Sequence, residues 1–206
     1  MTGASMRIEP VLQRQRIHIL QAGALAALPI FLLSQPSWDG QAHEFIEIAG
    51  IVLVFACIFG RMWSILYVGS KKNKELVTSG PYSMTRNPLY FFSCIGAVGV
   101  GLMYGSVVVA LALGLIAYGV LAATAAKEAD YLRTMFGPAY EAYSHRTPIF
   151  WPKPQLYEDA QEVHFSPKAL RKTLLDGILF LAAFPIIETL EYLHASGKLP
   201  ILFHLI

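Results

Sequence analysis

The sequence predicts an all-α, polytopic membrane helix bundle with about five transmembrane helices. Three observations carry that reading. Of the 206 residues, 55% are apolar and only 15% charged, where soluble domains have roughly 45–50% and about 25%. Five apolar stretches are long enough for a hydrocarbon core of about 30 Å, which takes roughly 17–25 helical residues. Finally, 14 of the 16 Lys and Arg residues fall in alternate segments outside those stretches.

The spans are placed at Ile17–Ser34, Phe45–Gly69, Pro88–Tyr104, Ser106–Ala126 and Thr173–His194. The third is the shortest, and only Gly105 separates it from the fourth, which makes the pair a tight helical hairpin. Leu199–Ile206 is apolar but too short to span, and is expected to lie at an interface or cap the bundle. Aromatic residues (12 Phe, 10 Tyr and 3 Trp) suit a protein with two interfacial belts.

Basic residues set the orientation. Arg7, Arg14 and Arg16 precede the first span; Lys71, Lys72, Lys74 and Arg86 lie between the second and third. Lys127, Arg133, Arg146, Lys153, Lys168, Arg171 and Lys172 lie between the fourth and fifth. With five spans these three regions share one side, and cytoplasmic loops carry the excess of Lys and Arg. The N-terminus and both long loops are therefore expected in the cytoplasm. No repeat or linker divides the chain, so residues 1–206 read as one domain, with Pro152–Glu162 a surface connector. Cys57 and Cys94 sit inside apolar runs and read as small core residues. His145 and His164 lack a second ligand at metal spacing. No metal and no nucleic-acid partner is expected.

The chemistry gathers in the two long loops. In the first, Ser79-Gly80-Pro81 is a turn signal, and Asn87-Pro88 reads as an N-cap followed by proline at the first helical position. The resulting helix N-terminus, next to Arg86, favours an anionic group. Tyr82 and Tyr90 offer ring faces for a flat heterocycle. The same residues would equally serve a capped connector with interfacial tyrosines, the more common use of such residues. In the second loop, Glu128 is placed at the end of the fourth span, where the last helical turn carries negative partial charge. A carboxylate there needs a compensating cation, from a neighbouring Lys or Arg or from a ligand. Phe136-Gly137-Pro138 breaks the helix, and Tyr140 and Tyr143 then fall three apart on one face of a short helix.

Taken in order, Leu76-Val77-Thr78-Ser79-Gly80-Pro81-Tyr82, then Arg86-Asn87-Pro88-Leu89-Tyr90, two helices, Glu128, Phe136-Gly137 with Tyr140 and Tyr143, and Arg146-Thr147-Pro148 form an ordered set. That set resembles the isoprenylcysteine carboxyl methyltransferase family, whose superfamily includes membrane-embedded phospholipid N-methyltransferases. The resemblance covers about residues 66–152, and the span at 173–194 is additional to it. It implies an enzyme that uses S-adenosyl-L-methionine, with a cytoplasmic-side cofactor site. Carried over residue by residue, cofactor binding falls on Lys74, Glu75, Leu76 and Val77, then Tyr82, then Asn87, Pro88, Leu89 and Tyr90, and finally Glu128. Glu128 would hold the ammonium of the methionine moiety, and Arg86 with the adjacent helix N-terminus its carboxylate.

Three departures bear on the substrate. The family's Arg-His-Pro reads Arg86-Asn87-Pro88 here, so asparagine replaces an imidazole. Its paired glutamates become Glu128-Ala129. The arginine that eukaryotic members carry four residues before the glutamate is Thr124, which cannot make a bidentate carboxylate contact. That counts against a prenylcysteine substrate.

Within the second span, Arg61 lies eight residues before Gly69, about 12 Å from the end at 1.5 Å per residue. Ionisable residues at such depth are functional candidates, although snorkelling or pairing with a helix carbonyl explains Arg61 about as well. Arg61, Arg86 and Asn87 are the candidates for the reacting centre. Asp176, Glu188 and Glu191 read as interfacial charges near helix ends.

The implied reaction is methyl transfer to a lipophilic small molecule, a membrane lipid or a prenylcysteine-like acceptor. It demands alignment and exclusion of water more than a nucleophilic side chain. Two competitors remain: an NADPH-dependent membrane reductase of the related sterol reductase type, and a non-enzymatic membrane scaffold.

Overall fold

The computed structural model describes residues 29, 32–37, 40–71 and 74–205. It is a helical bundle with one two-stranded sheet: β1 (Ser34–Pro36), α1 (Gln41–Val68), α2 (Pro81–Met84), α3 (Pro88–Met103), α4 (Val107–Phe136), α5 (Pro138–Arg146), a 3-10 turn at Pro154–Leu156, α6 (Pro167–Leu181), α7 (Ala183–Ala195) and β2 (Phe203–Leu205). Three helical stretches, Gln41–Val68, Val107–Phe136 and Pro167–Ala195, are long and apolar enough to cross a membrane. This is a membrane protein. The first predicted span, Ile17–Ser34, lies largely outside the described residues; the next three each coincide with a helix, and the last with the pair α6 and α7.

The boundaries depart from the prediction in instructive ways. Helix α3 has 16 residues, about 24 Å at 1.5 Å per residue, which is shorter than an upright crossing of the core. Helix α4 runs ten residues beyond the predicted end at Ala126, to Phe136. The apolar pattern stops at Ala126, but the following Ala, Lys, Glu and Leu residues are strong helix formers, and the helix ends only where Gly137 takes φ 52° ahead of Pro138. Glu128 is therefore two turns inside the helix, and the expected last-turn dipole does not act on it. The fifth predicted span is interrupted at Ala182. Pro185 explains the break, since its ring collides with the carbonyl four residues earlier, at Leu181.

Helix starts follow local chemistry. Ser106 accepts from Val109 N at 3.2 Å and Ser166 from Ala169 N at 3.3 Å, each as a side-chain cap.

Packing is closest where side chains are smallest. Helix α1 packs along α3, α3 along α4, and α6 along α1. A Cβ on Gly50 would lie 2.4 Å from Met103 N and 2.6 Å from Gly99 O, so the α1 and α3 backbones touch. Gly96 lies against Cys57 and Gly60 against the Phe92 ring, continuing the contact toward the other end of α1. Small residues allow such approach, which in lipid is a main source of helix association. Beside this seam a core of Val54, Ile58, Met103, Tyr104, Val109 and Ile187 joins α1, α3, α4 and α7.

The C-terminal apolar segment forms a strand, which a helix-only reading omits. Ser34 pairs with Phe203 and Pro36 with Leu205 in parallel, and Tyr104 donates to Ser34 O at 2.6 Å. These contacts close the end of the bundle opposite the long loops.

Candidate active site

Gly80 makes the turn that builds the site. Its φ of 61° suits glycine, and a Cβ there would sit 2.3 Å from the Tyr67 ring. Pro81 then opens α2, and residues 80–87 are bound to residues 143–158 through main-chain atoms and hydroxyls. Arg86 N donates to Pro148 O and Lys153 N to Met84 O. Thr85 Oγ1 donates to Phe150 O at 2.8 Å, and Thr147 Oγ1 to Ser83 O at 3.3 Å. Gly80 and Glu158 form an antiparallel bridge. Pro152–Glu162 is thus a strap over the first loop as well as a surface connector. The Arg146-Thr147-Pro148 motif acquires a physical role here, holding the entry to α3.

Asn87 occupies the N-cap position of α3 without making a side-chain cap. Its Nδ2 donates instead to Ile149 O at 2.9 Å. The expected cap is replaced by a tie to the segment that leads into the strap, because residues 148–150 pass beside the helix start and offer an acceptor.

Three tyrosines converge beneath this connection. Tyr140 and Tyr143 are buried on one face of α5, with ring centroids 6.1 Å apart. They pack with Ala129, Leu76, Leu132, Phe136 and Ile149. Tyr143 donates to Tyr82 O at 2.7 Å. Burial raises the Tyr82 phenol well above its ordinary value, and the neighbouring Tyr143, Glu128 and Tyr90 add to that rise. Burial likewise pushes the Tyr143 phenol up, with Arg86 opposing. Both phenols stay neutral at physiological pH. Tyr82 is only 8% exposed, so its ring is part of the site's wall more than an open stacking face.

Glu128, half-buried on α4, accepts from Tyr90 Oη at 2.7 Å. Among the described residues no Lys or Arg lies within ion-pair distance of it. Arg86 donates from Nη1 to Tyr140 Oη at 2.9 Å and lies over the Tyr140 ring, while its Nε is buried without a partner. Among the described residues the site therefore presents a carboxylate lacking a cation and a guanidinium lacking an anion.

The remaining predicted residues divide. Pro88 is buried, and Leu76, Val77 and Leu89 are half-buried; Leu76 joins the tyrosine cluster. Lys74 and Glu75 lie exposed on the preceding turn, and Glu75 pairs with Lys71 at 3.2 Å. Arg61 sits inside the bundle, where its Nη1 donates to Ser93 Oγ on α3. Thr124 spends its hydroxyl on Val120 O of its own helix, at 2.7 Å. The sequence reading noted Tyr140 and Tyr143 but did not include them in the site. Their three-residue spacing was the available signal, and their partners Arg86 and Tyr82 lie more than fifty residues away.

Tyr143→Phe should cost about 1–3 kcal/mol, because the Tyr82 carbonyl loses its buried donor. Thermal unfolding in detergent checks this; a melting curve identical to wild type would remove the hydroxyl from the scaffold.

Comparison with known proteins fits this placement. The phospholipid methyltransferase family model matches residues 46–139, which span α1 through the start of α5. The cobalt-zinc-cadmium resistance protein CzcN of Cupriavidus metallidurans is 32% identical over 200 residues, covering 96% of this chain and 91% of that protein. The nickel-cobalt-cadmium resistance protein NccN of Alcaligenes xylosoxydans xylosoxydans is 29% identical over 94% of this chain and 91% of its own length. Protein-S-isoprenylcysteine O-methyltransferase B of Arabidopsis thaliana is 29% identical over 119 residues, 56% of this chain and 60% of that one. No solved structure gives a significant match. Among the described residues no group of three or more His, Cys, Asp or Glu side chains is arranged to hold a metal ion.

Proposed function

The chain belongs to the membrane methyltransferase family that includes the phospholipid and isoprenylcysteine methyltransferases, and on that premise we propose that it is an S-adenosylmethionine-dependent methyltransferase acting on a lipophilic acceptor. One observation supports this reading above the others. Glu128 and Arg86 are opposite charges at one tyrosine-lined site, and among the described residues each lacks the ionic partner that a zwitterionic amino-acid group would supply. The buried Nε of Arg86, without a partner among the described residues, suits such a group, because an orphaned buried donor is costly unless something fills its need.

In this reading Glu128, oriented by Tyr90, holds the ammonium of the methionine moiety, and Arg86, oriented by Tyr140, holds its carboxylate. When bound, S-adenosylmethionine supplies a methyl group on a sulfonium. The tyrosine cluster and the chain at 148–158 keep water from the site, so both charged contacts act in a medium of lowered dielectric. The positive-inside distribution of Lys and Arg supports a site on the cytoplasmic side. CzcN and NccN carry metal-resistance names and align with nearly the whole chain. Methylation of a membrane lipid or lipophilic small molecule within a metal-stress response accommodates both lines.

Isothermal titration of the purified chain in neutral detergent tests the proposal. S-adenosylmethionine and its demethylated product should both give saturable heat. No heat from either, with binding of NADPH instead, would overturn it in favour of the reductase.

A further inference from the structure

Arg61 is the charge that the cofactor reading leaves unused. It lies on α1 seven residues before Val68, about 10 Å below the end of that helix, within a membrane-spanning stretch. Its Nη1 donates to Ser93 Oγ, and Ser93 donates in turn to Leu89 O at 2.7 Å. Ser93 is itself five residues inside α3, so this bond holds the guanidinium between helices and away from the surface. A snorkelling arginine would point its head outward.

The bond to Ser93 is the one hydrogen bond of this guanidinium among the described residues, and Nε is buried without a partner. No carboxylate lies within ion-pair distance among those residues. Nη1 belongs to one edge of the guanidinium; Nε and Nη2 form the other, the edge that meets two oxygens of a carboxylate or phosphate in a bidentate contact. A fixed, ionised arginine in a bilayer with an unmet donor is expensive, and an anion is the group that would relieve it.

Position adds the second half. Tyr90 and Ser93 are one turn apart on α3: the first hydroxyl reaches Glu128, and the second holds Arg61. Glu128 and Arg61 thus flank adjacent turns of one helix, Arg61 on the membrane side.

We infer that Arg61 forms an anion-binding subsite inside the bilayer, which seats the carboxylate or phosphate of a lipophilic methyl acceptor one helical turn below the cofactor site. The inference rests on the methyltransferase reading for the word acceptor, and its test is kept separate from that reading.

The full chain in neutral detergent is incubated with palmitate, dioleoyl phosphatidate and their uncharged counterparts hexadecanol and dioleoylglycerol, and retained lipid is measured by native mass spectrometry. Wild type should retain at least one anionic lipid about tenfold more tightly than its neutral counterpart, a contrast in keeping with a charge-assisted bidentate contact. Palmitate alone would assign a carboxylate site, phosphatidate alone a phosphate site. Arg61→Met should erase the preference, Ser93→Ala, which frees the guanidinium to turn, should weaken it several-fold, and exposed Arg171→Met should leave it untouched. If Arg61→Met does not fold, Arg61→Lys decides, because it keeps the charge without the two-donor edge and should lose several-fold in retention. Equal retention of charged and neutral lipids by wild type, or an unchanged preference in the Arg61 variants, overturns the inference. Calorimetry with S-adenosylmethionine on the same samples tells the two readings apart: lost cofactor binding with intact lipid preference counts against the enzyme alone.

Discussion

Glu128→Gln should weaken S-adenosylmethionine binding by about tenfold or more, because charge-assisted hydrogen bonds contribute roughly 1.5–3 kcal/mol. The substitution is nearly isosteric. The amide oxygen of glutamine can still accept from Tyr90, which now donates to Glu128 at 2.7 Å, so the helix pair keeps its link while the negative charge disappears. Tyr90→Phe separates the two roles. It leaves the carboxylate charged but free to turn, and should cost only a few-fold in affinity, on the order of one neutral hydrogen bond. Titration calorimetry of both variants in detergent checks the order. A folded Glu128→Gln protein with wild-type affinity would remove Glu128 from the cofactor site, whatever the family implies.

The sequence was most legible where one physical signal dominated. Apolar length marked the helices, and the polarity of the intervening segments marked the side on which unusual residues gather. Boundaries failed where two signals parted. Apolarity ends at Ala126, but helix propensity continues to Phe136, and that shift moved Glu128 from a helix end to a helix interior. Pro185 was visible in the sequence, yet its break at Ala182 was passed over because the surrounding run is apolar throughout. The strand pairing of Ser34–Pro36 with Phe203–Leu205 joins segments almost a chain length apart, with no local pattern to announce it.

The site was half legible for the same reason. Tyr82, Tyr90, Arg86 and Glu128 belong to motifs whose order carries the resemblance, and the fold brings them together. Lys74 and Glu75 belong to the same motif but stay on an exposed turn, with Glu75 spent on Lys71. Asn87 looked like a helix cap, because its local geometry is that of one. Only the chain returning at Ile149 diverts its amide. Arg61 was singled out on depth alone; its unmet Nε and its hold on Ser93 are tertiary facts.

Gly50→Leu should be among the most damaging single changes in the described bundle, lowering stability by about 3 kcal/mol or more, at or beyond the upper end of ordinary overpacking. The ideal Cβ at Gly50 lies 2.4 Å from Met103 N, 2.6 Å from Gly99 O and 2.8 Å from Leu102 C. These are backbone atoms of α3, which cannot rotate aside as a side chain can. The helices must separate, and in lipid no hydrophobic gain offsets the lost contact between them. Separation would also carry α3 away from the Gly96–Cys57 and Gly60–Phe92 contacts and from Arg61, so the damage should spread from the seam to the site. Gly119→Leu supplies the control. Gly119 is an exposed position on α4 with nothing within 4 Å of an added Cβ, and replacing a helical glycine there should be neutral or stabilising by up to about 1 kcal/mol. Thermal unfolding in detergent, followed by far-UV circular dichroism, compares the pair. If the two variants melt together, the α1–α3 backbone contact is not what holds the bundle, and the route from Gly50 to the site is lost with it.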